Sequence, residues 1–168
     1  DTLTIRVTDN GRGMSAELAG SVLDPFVTTR TTRRVGLGLP LLAASARRCG
    51  GGVRVRTRAN RGTRTTATFQ RSHIDRAPLG DMASTLLTLM VANPHVRLRY
   101  RHRVGTWQFE VDTAAIRDVL GDLPLTTPAV LQWLKEHLAT DAPPEDSTTA
   151  RRPVRVSEGV GEWQRSPA

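Results

Sequence analysis

The chain has 168 residues, 38% of them hydrophobic and 24% charged, which is enough for one modest domain or one and a half small ones and too few for a large multidomain enzyme. Its formal net charge of +8 is uneven: residues 1–72 hold 13 arginines against 4 acidic residues, residues 73–168 hold 11 basic against 12 acidic ones, so any attraction to polyanions belongs to the first segment. A single cysteine, Cys49, leaves no internal disulfide and no Cys-based zinc site, and no apolar run approaches a membrane span; the expectation is a cytoplasmic protein with no membrane attachment and no structural metal.

The chain opens without an initiator Met or a signal-peptide profile, as if inside a domain. Leu3, Ile5 and Val7 alternate with Thr4 and Arg6, the pattern of a half-buried strand, and Asp9-Asn10-Gly11-Arg12-Gly13 breaks it with turn formers. Ser15 suits a helix cap with Glu17 in the first turn, and that short helix should stop before Asp24-Pro25. A β-branched, cationic stretch follows from Val27. Gly36-Leu37-Gly38-Leu39-Pro40 then opens a helix of Leu and Ala that Gly50-Gly51-Gly52 terminates. Val53 and Val55 alternate with Arg54, Arg56 and Arg58; Asn60-Arg61-Gly62 turns the chain and Thr63–Phe69 returns, predicting a hairpin with one arginine-rich face.

Beyond a connector at 72–80, residues 81–92 read as a helix ended by Asn93-Pro94. Residues 96–103 and Trp107–Val111 read as strands joined at Gly105-Thr106, and helices are expected at 113–120 and 128–138. From Ala139 apolar residues thin out, which predicts a disordered tail.

Three features occur in order: Asp9 before Gly11 and Gly13, Pro25-Phe26 before a Thr/Arg-rich stretch, and Gly36 with Gly38 opening a helix. With the Gly50-Gly51 stop and the Gly62-Thr63 hairpin, residues 3–70 resemble the ATP-binding domain of the GHKL superfamily, in particular the catalytic domain of sensor histidine kinases. The resemblance implies an α+β fold, a two-layer α/β sandwich of the Bergerat type with helices on one face of a mixed sheet. The expected division is residues 1–72 for this domain, 73–139 for a small α+β unit, and 140–168 for the tail.

The resemblance also assigns a site for ATP. Asp9 matches the aspartate that accepts a hydrogen bond from the adenine amine, although alone it would read as a turn residue. Gly11 and Gly13 match the glycines that let the loop backbone approach the nucleotide, where a bare Gly-x-Gly is more often an ordinary turn. Phe26 matches the aromatic at the start of the lid, or is a core phenylalanine. Gly36, Leu37 and Gly38 match the second glycine box, whose amides face the triphosphate at a helix N-terminus. Arg34, with Arg30 and Arg33, could reach phosphate oxygens or lie on a solvated face. Thr63 matches the threonine beside the adenine-binding aspartate, and Asn60 stands at a left-handed turn position often held by glycine.

In that family an upstream helix, the N box, supplies an asparagine for Mg²⁺ and an acidic residue. It would precede Asp1, so the domain reads as N-terminally truncated or its site as vestigial, and no Mg²⁺ ligand is visible. No catalytic base and no phosphoacceptor helix are apparent, and His73, in the connector, reads as a plain surface histidine. The expected function is therefore an ATP-binding module of the histidine-kinase type, acting in signal transduction or as an ATP-dependent regulatory subunit, with kinase (transferase) activity only if a partner or a missing N-terminus provides the acceptor. Residues 73–139 are expected to dock a protein partner. The alternatives are a nucleotide-free scaffold, or a nucleic-acid-binding protein using the Arg54, Arg56, Arg58 and Arg97, Arg99, Arg101 faces. The scarcity of aromatics, 4%, makes base stacking, and with it nucleic acid, the weaker of these.

Overall fold

Leu3 and Ile5 turn inward and Thr2, Thr4 and Arg6 outward along strand β1 (Thr2–Asp9). The computed structural model describes residues 1–26 and 36–140, and these fall into two units, Asp1–Pro78 and a second beginning at Leu79. In the first, Ser15 accepts from the Leu18 amide at 3.2 Å and caps helix α1 (Ala16–Ser21). Helix α2 (Gly38–Arg48) ends in a Schellman arrangement, with the Gly51 amide on Ala46 O and the Gly50 amide on Arg47 O. Strands β2 (Gly52–Thr57) and β3 (Thr63–Gln70) form the expected hairpin, and Asn60 takes its left-handed turn position at φ 59°.

The sheet order is β1-β3-β2 with both pairings antiparallel, which corrects the expectation of a mixed sheet for the described strands. β1 and β2 run the same way, but β3 lies between them, so no parallel pair forms. Helix α2 covers one face. Ala46 and Cys49 pack there on Ala67 and Phe69, flanked by Leu3, Ile5, Leu42 and Val53, small side chains that let the helix lie close. The opposite face carries Arg6, Arg54, Arg56 and Arg64, all exposed.

The second unit is built on a hairpin of β4 (Arg99–Val104) and β5 (Trp107–Asp112), with helices α3 (Met82–Ala92), α4 (Thr113–Leu120) and α5 (Pro128–Ala139). β4 begins three residues later than the alternation suggests. Leu98 is tied instead to the start of α4: its amide donates to Thr113 Oγ1 and its carbonyl accepts from the Thr113 amide, both at 2.9 Å. Trp107, Phe109 and Val111 face inward from β5 onto Leu86, Met90, Ile116, Leu134 and Leu138. The expected tail lies, from residue 141 on, outside the described residues.

Among the described residues of this unit, one buried side-chain polar atom has no hydrogen-bond partner. The His137 ring stacks on Trp133, centroids 5.0 Å apart and planes 7° from parallel, and its Nε2 is buried without a hydrogen bond. Burial pushes its pKa down, because an imidazolium there would lose its hydration. A base whose folded pKa lies below its unfolded value favours the unfolded chain once protonated. Stability is therefore full above the ordinary histidine value of about 6.5 and falls with pH until the lowered folded value is reached. Melting temperatures between pH 7.5 and 5.5 should drop in the wild type and drop less in His137→Leu; equal slopes would show that His137 does not titrate in this way.

Candidate functional site

Asp9, Thr63 and Thr57 are register partners across β1, β3 and β2, so their side chains leave the same face, the one that α2 covers, at the end of the sheet where β1 runs out. Two loops meet there. The Asn60 amide donates to Arg12 O at 2.7 Å and the Met14 amide to Thr57 Oγ1 at 2.9 Å, which stitches the loop after β1 to the β2–β3 turn. Gly13 (φ 62°) and Gly62 (φ 80°) make this possible: a Cβ on Gly13 would lie 2.0 Å from Arg58 O, and one on Gly62 1.9 Å from Asp9 O. Gly11 serves Asp9 differently, donating its amide to Asp9 Oδ1 at 2.9 Å and so orienting the carboxylate.

The hydrogens around Thr57 can be followed. Its hydroxyl donates to Gly62 O at 3.1 Å and lies 3.1 Å from Thr63 Oγ1. With the Thr57 hydrogen on the Gly62 carbonyl, the hydrogen between the two threonines comes from Thr63, whose oxygen then remains an acceptor. Asp9 Oδ2 has no partner among the described residues. The sheet end thus presents two neighbouring acceptors, one of them anionic. Thr57 was missed in the sequence; its signal was that it continues the inward positions of Val53 and Val55 with a polar residue.

Helix α2 points its N-terminus towards this same end. Its C-terminus is held at the far end of β3, where the Gln70 amide donates to Cys49 O at 2.8 Å, and the three-residue link to β2 sends helix and strand in opposite directions. Leu37 stands at the N-cap with no side-chain hydrogen bond to the first turn, which leaves helix-terminal amides facing outward with the positive end of the dipole. Gly36 is different: its amide donates to Pro25 O at 3.2 Å, so it ties together the two ends of the stretch 26–36 and is not a free donor. The Phe26 side chain is 83% exposed, which removes the core reading of it, and its amide donates to Asp24 Oδ1 at 2.9 Å. Arg30, Arg33 and Arg34 lie outside the described residues. His73 is partly buried, and its Nδ1 accepts from the Asp75 amide at 3.2 Å.

No described helix is long and apolar enough to cross a membrane, and among the described residues no group of three or more His, Cys, Asp or Glu stands where it could hold a metal ion. Residues 1–73 match the family model of the histidine kinase-, DNA gyrase B-, and HSP90-like ATPases. The first unit is accordingly a GHKL-type domain with the α/β sandwich fold, and the family implies an ATP-binding module. The match ends at the connector and does not extend into the second unit.

Proposed function

We propose that Asp9 selects adenine in this module and that the chain works in signalling or as an ATP-dependent regulatory subunit, with the second unit docking a protein partner. The observation that carries the reading is the pair of acceptors at the sheet end. Asp9 Oδ2 and Thr63 Oγ1 suit an exocyclic amine, and a purine bearing a carbonyl at that position would set acceptor against acceptor. Gly11 and Gly13 hold the loop where its backbone can meet the base. The amides of Leu37, Gly38 and Leu39 at the start of α2 suit the phosphates, and Phe26 and Arg34 flank or lie within the segment that would cover them.

ATP supplies a transferable γ-phosphoryl group when bound; the chain's own contribution is to bind and orient it. Among the described residues no group of three or more His, Cys, Asp or Glu stands where it could hold a metal ion, and Mg²⁺ beside a nucleotide needs only one or two protein ligands besides the phosphates. His73 Nδ1 accepts from the Asp75 amide within its own turn, and an acceptor histidine for transfer would come from a partner or from sequence upstream of Asp1.

Calorimetric titration with a non-hydrolysable ATP analogue and Mg²⁺ tests this on wild type and Asp9→Asn. The asparagine keeps an oxygen for Gly11 but turns an NH₂ towards the adenine amine, donor against donor. Binding should weaken about 10- to 100-fold, the equivalent of one charged hydrogen bond, and a GTP analogue should bind the wild type poorly. Equal affinity in Asp9→Asn would remove Asp9 from the site, and no heat with either nucleotide would leave the first unit a scaffold.

A further inference from the structure

The sheet face away from α2 carries none of the residues assigned to the nucleotide site, and it is rich in arginine and threonine. Two rows cross it in register: Arg6, Thr66, Arg54, and beside them Thr8, Arg64, Arg56. A depression of about 510 Å³ lies over them, lined by Arg6, Arg54, Arg56, Arg64, Thr66 and Thr68. Arg56 and Arg64 are directly opposed on adjacent strands, an arrangement that like charges disfavour. Among the described residues no carboxylate pairs with any of these four arginines.

The contrast with β4 shows that this is not arginine abundance alone. There Arg99 and Arg101 stand opposite Asp112 and Glu110; Arg97 and Arg99 reach Asp112 at 2.7 and 3.0 Å and Arg101 reaches Glu110 at 2.9 Å. The same alternation of arginines is neutralised in one hairpin and left uncompensated in the other. An anion between the strands would relieve the repulsion.

We propose that this face binds single-stranded nucleic acid through its phosphates. Every outward side chain in the two rows is a hydrogen-bond donor, guanidinium forks that match phosphate oxygens bidentately and threonine hydroxyls between them. Arg54 and Arg56 project about 6.7 Å apart along β2, a step comparable to that between phosphates of an extended strand. The rows carry no apolar side chain to receive those of an acidic peptide, and no aromatic to stack on bases, so binding is independent of sequence. The arginines that matter are not the set expected from sequence. Arg58 lies beyond the end of β2 in the turn, and Arg6 and Arg64, from the other two strands, complete the surface.

Fluorescence anisotropy of a labelled 20-nucleotide single strand with the full chain tests the proposal over a salt series. Four phosphate contacts predict a log–log salt slope of about −3. Arg56→Gln/Arg64→Gln should halve the slope and weaken binding at least tenfold at low salt, and Arg6→Gln/Arg54→Gln, removing the other row, should do the same. Circular dichroism and melting curves identify the pair that keeps its fold. Arg47→Gln/Arg48→Gln, with equal charge loss on the helix layer, should bind as wild type, as should Asp9→Asn, so the outcome is separable from that of the nucleotide site. Absence of binding at low salt would overturn the proposal, as would an equal loss in Arg47→Gln/Arg48→Gln. Displacement by polyglutamate as effective as that by unlabelled strand would overturn it in favour of an acidic protein partner.

Discussion

Gly62→Ala is expected to destabilise the first unit by about 3 kcal/mol or more, in the range that marks a steric fault with no room to relax. Two costs combine. At φ 80° a side chain strains the backbone by about 1–2 kcal/mol. The new Cβ would also meet Asp9 O at 1.9 Å and Asn10 Cα at 2.8 Å, atoms of the neighbouring strand's end and not a side chain that can swing away. Relief requires pulling Asp9 off Thr63, which opens the sheet where the two acceptors stand. Urea denaturation followed by far-UV circular dichroism should show an earlier transition, and nucleotide affinity should fall with it. Gly20→Ala is the matching control: nothing lies within 4 Å of its Cβ and Gly20 is inside α1, where alanine is favoured by about 1 kcal/mol. A Gly62→Ala protein as stable as wild type would mean that the two loops are not locked together as described.

Most of the first unit was legible because its signals are local. Leu3 and Ile5 alternate cleanly, Ser15 is followed by a helix it can cap, and Asn60-Arg61-Gly62 specifies a tight turn. The two rows of arginines were only half legible. Arg54 and Arg56 share a strand and show their alternation, and Arg64 stands across the hairpin from Arg56, but Arg6 joins them only through its pairing with Thr66, 60 residues along the chain. The sense of the sheet was misread for the same reason: which strand lies in the middle is a long-range fact. At the site, Asp9 and Thr63 could be aligned with a known motif, whereas Thr57 belongs to none of the motif blocks and acts through the hydroxyl geometry of its neighbours. Gly36 was expected to offer its amide to phosphate. Only the fold reveals that Pro25 O already occupies it.

The β4–β5 arginines illustrate the opposite case, a charged alternation whose meaning is stability. Asp112 accepts from Arg97 Nε at 3.0 Å and Nη2 at 2.7 Å, from Arg99 Nε at 3.1 Å, and from the Ala114 amide at 3.0 Å as the cap of α4. Its side chain is 14% exposed while the arginines remain more than half exposed, so the carboxylate gains more than its partners do. The Arg97 hydrogen bonds first, then the Ala114 amide and Arg99, hold its pKa far below the usual carboxylate range.

Asp112→Ala is therefore expected to cost the second unit about 2–3 kcal/mol, combining a lost helix cap with screened charged hydrogen bonds. Asp112→Asn keeps an acceptor for Ala114 and should cost about half as much. Because the folded pKa is depressed, this stabilisation is complete above about pH 4 and drains away as pH falls further; Asp112→Asn should lack that acid limb. Denaturation followed by the fluorescence of the buried Trp107 gives the comparison directly. Raising NaCl to 1 M should narrow the gap between wild type and Asp112→Asn, since ion pairs are screened, and leave the gap between Asp112→Asn and Asp112→Ala, since a cap is not. If salt closed both gaps equally, the carboxylate would act only as a charge and the capping of α4 would contribute nothing.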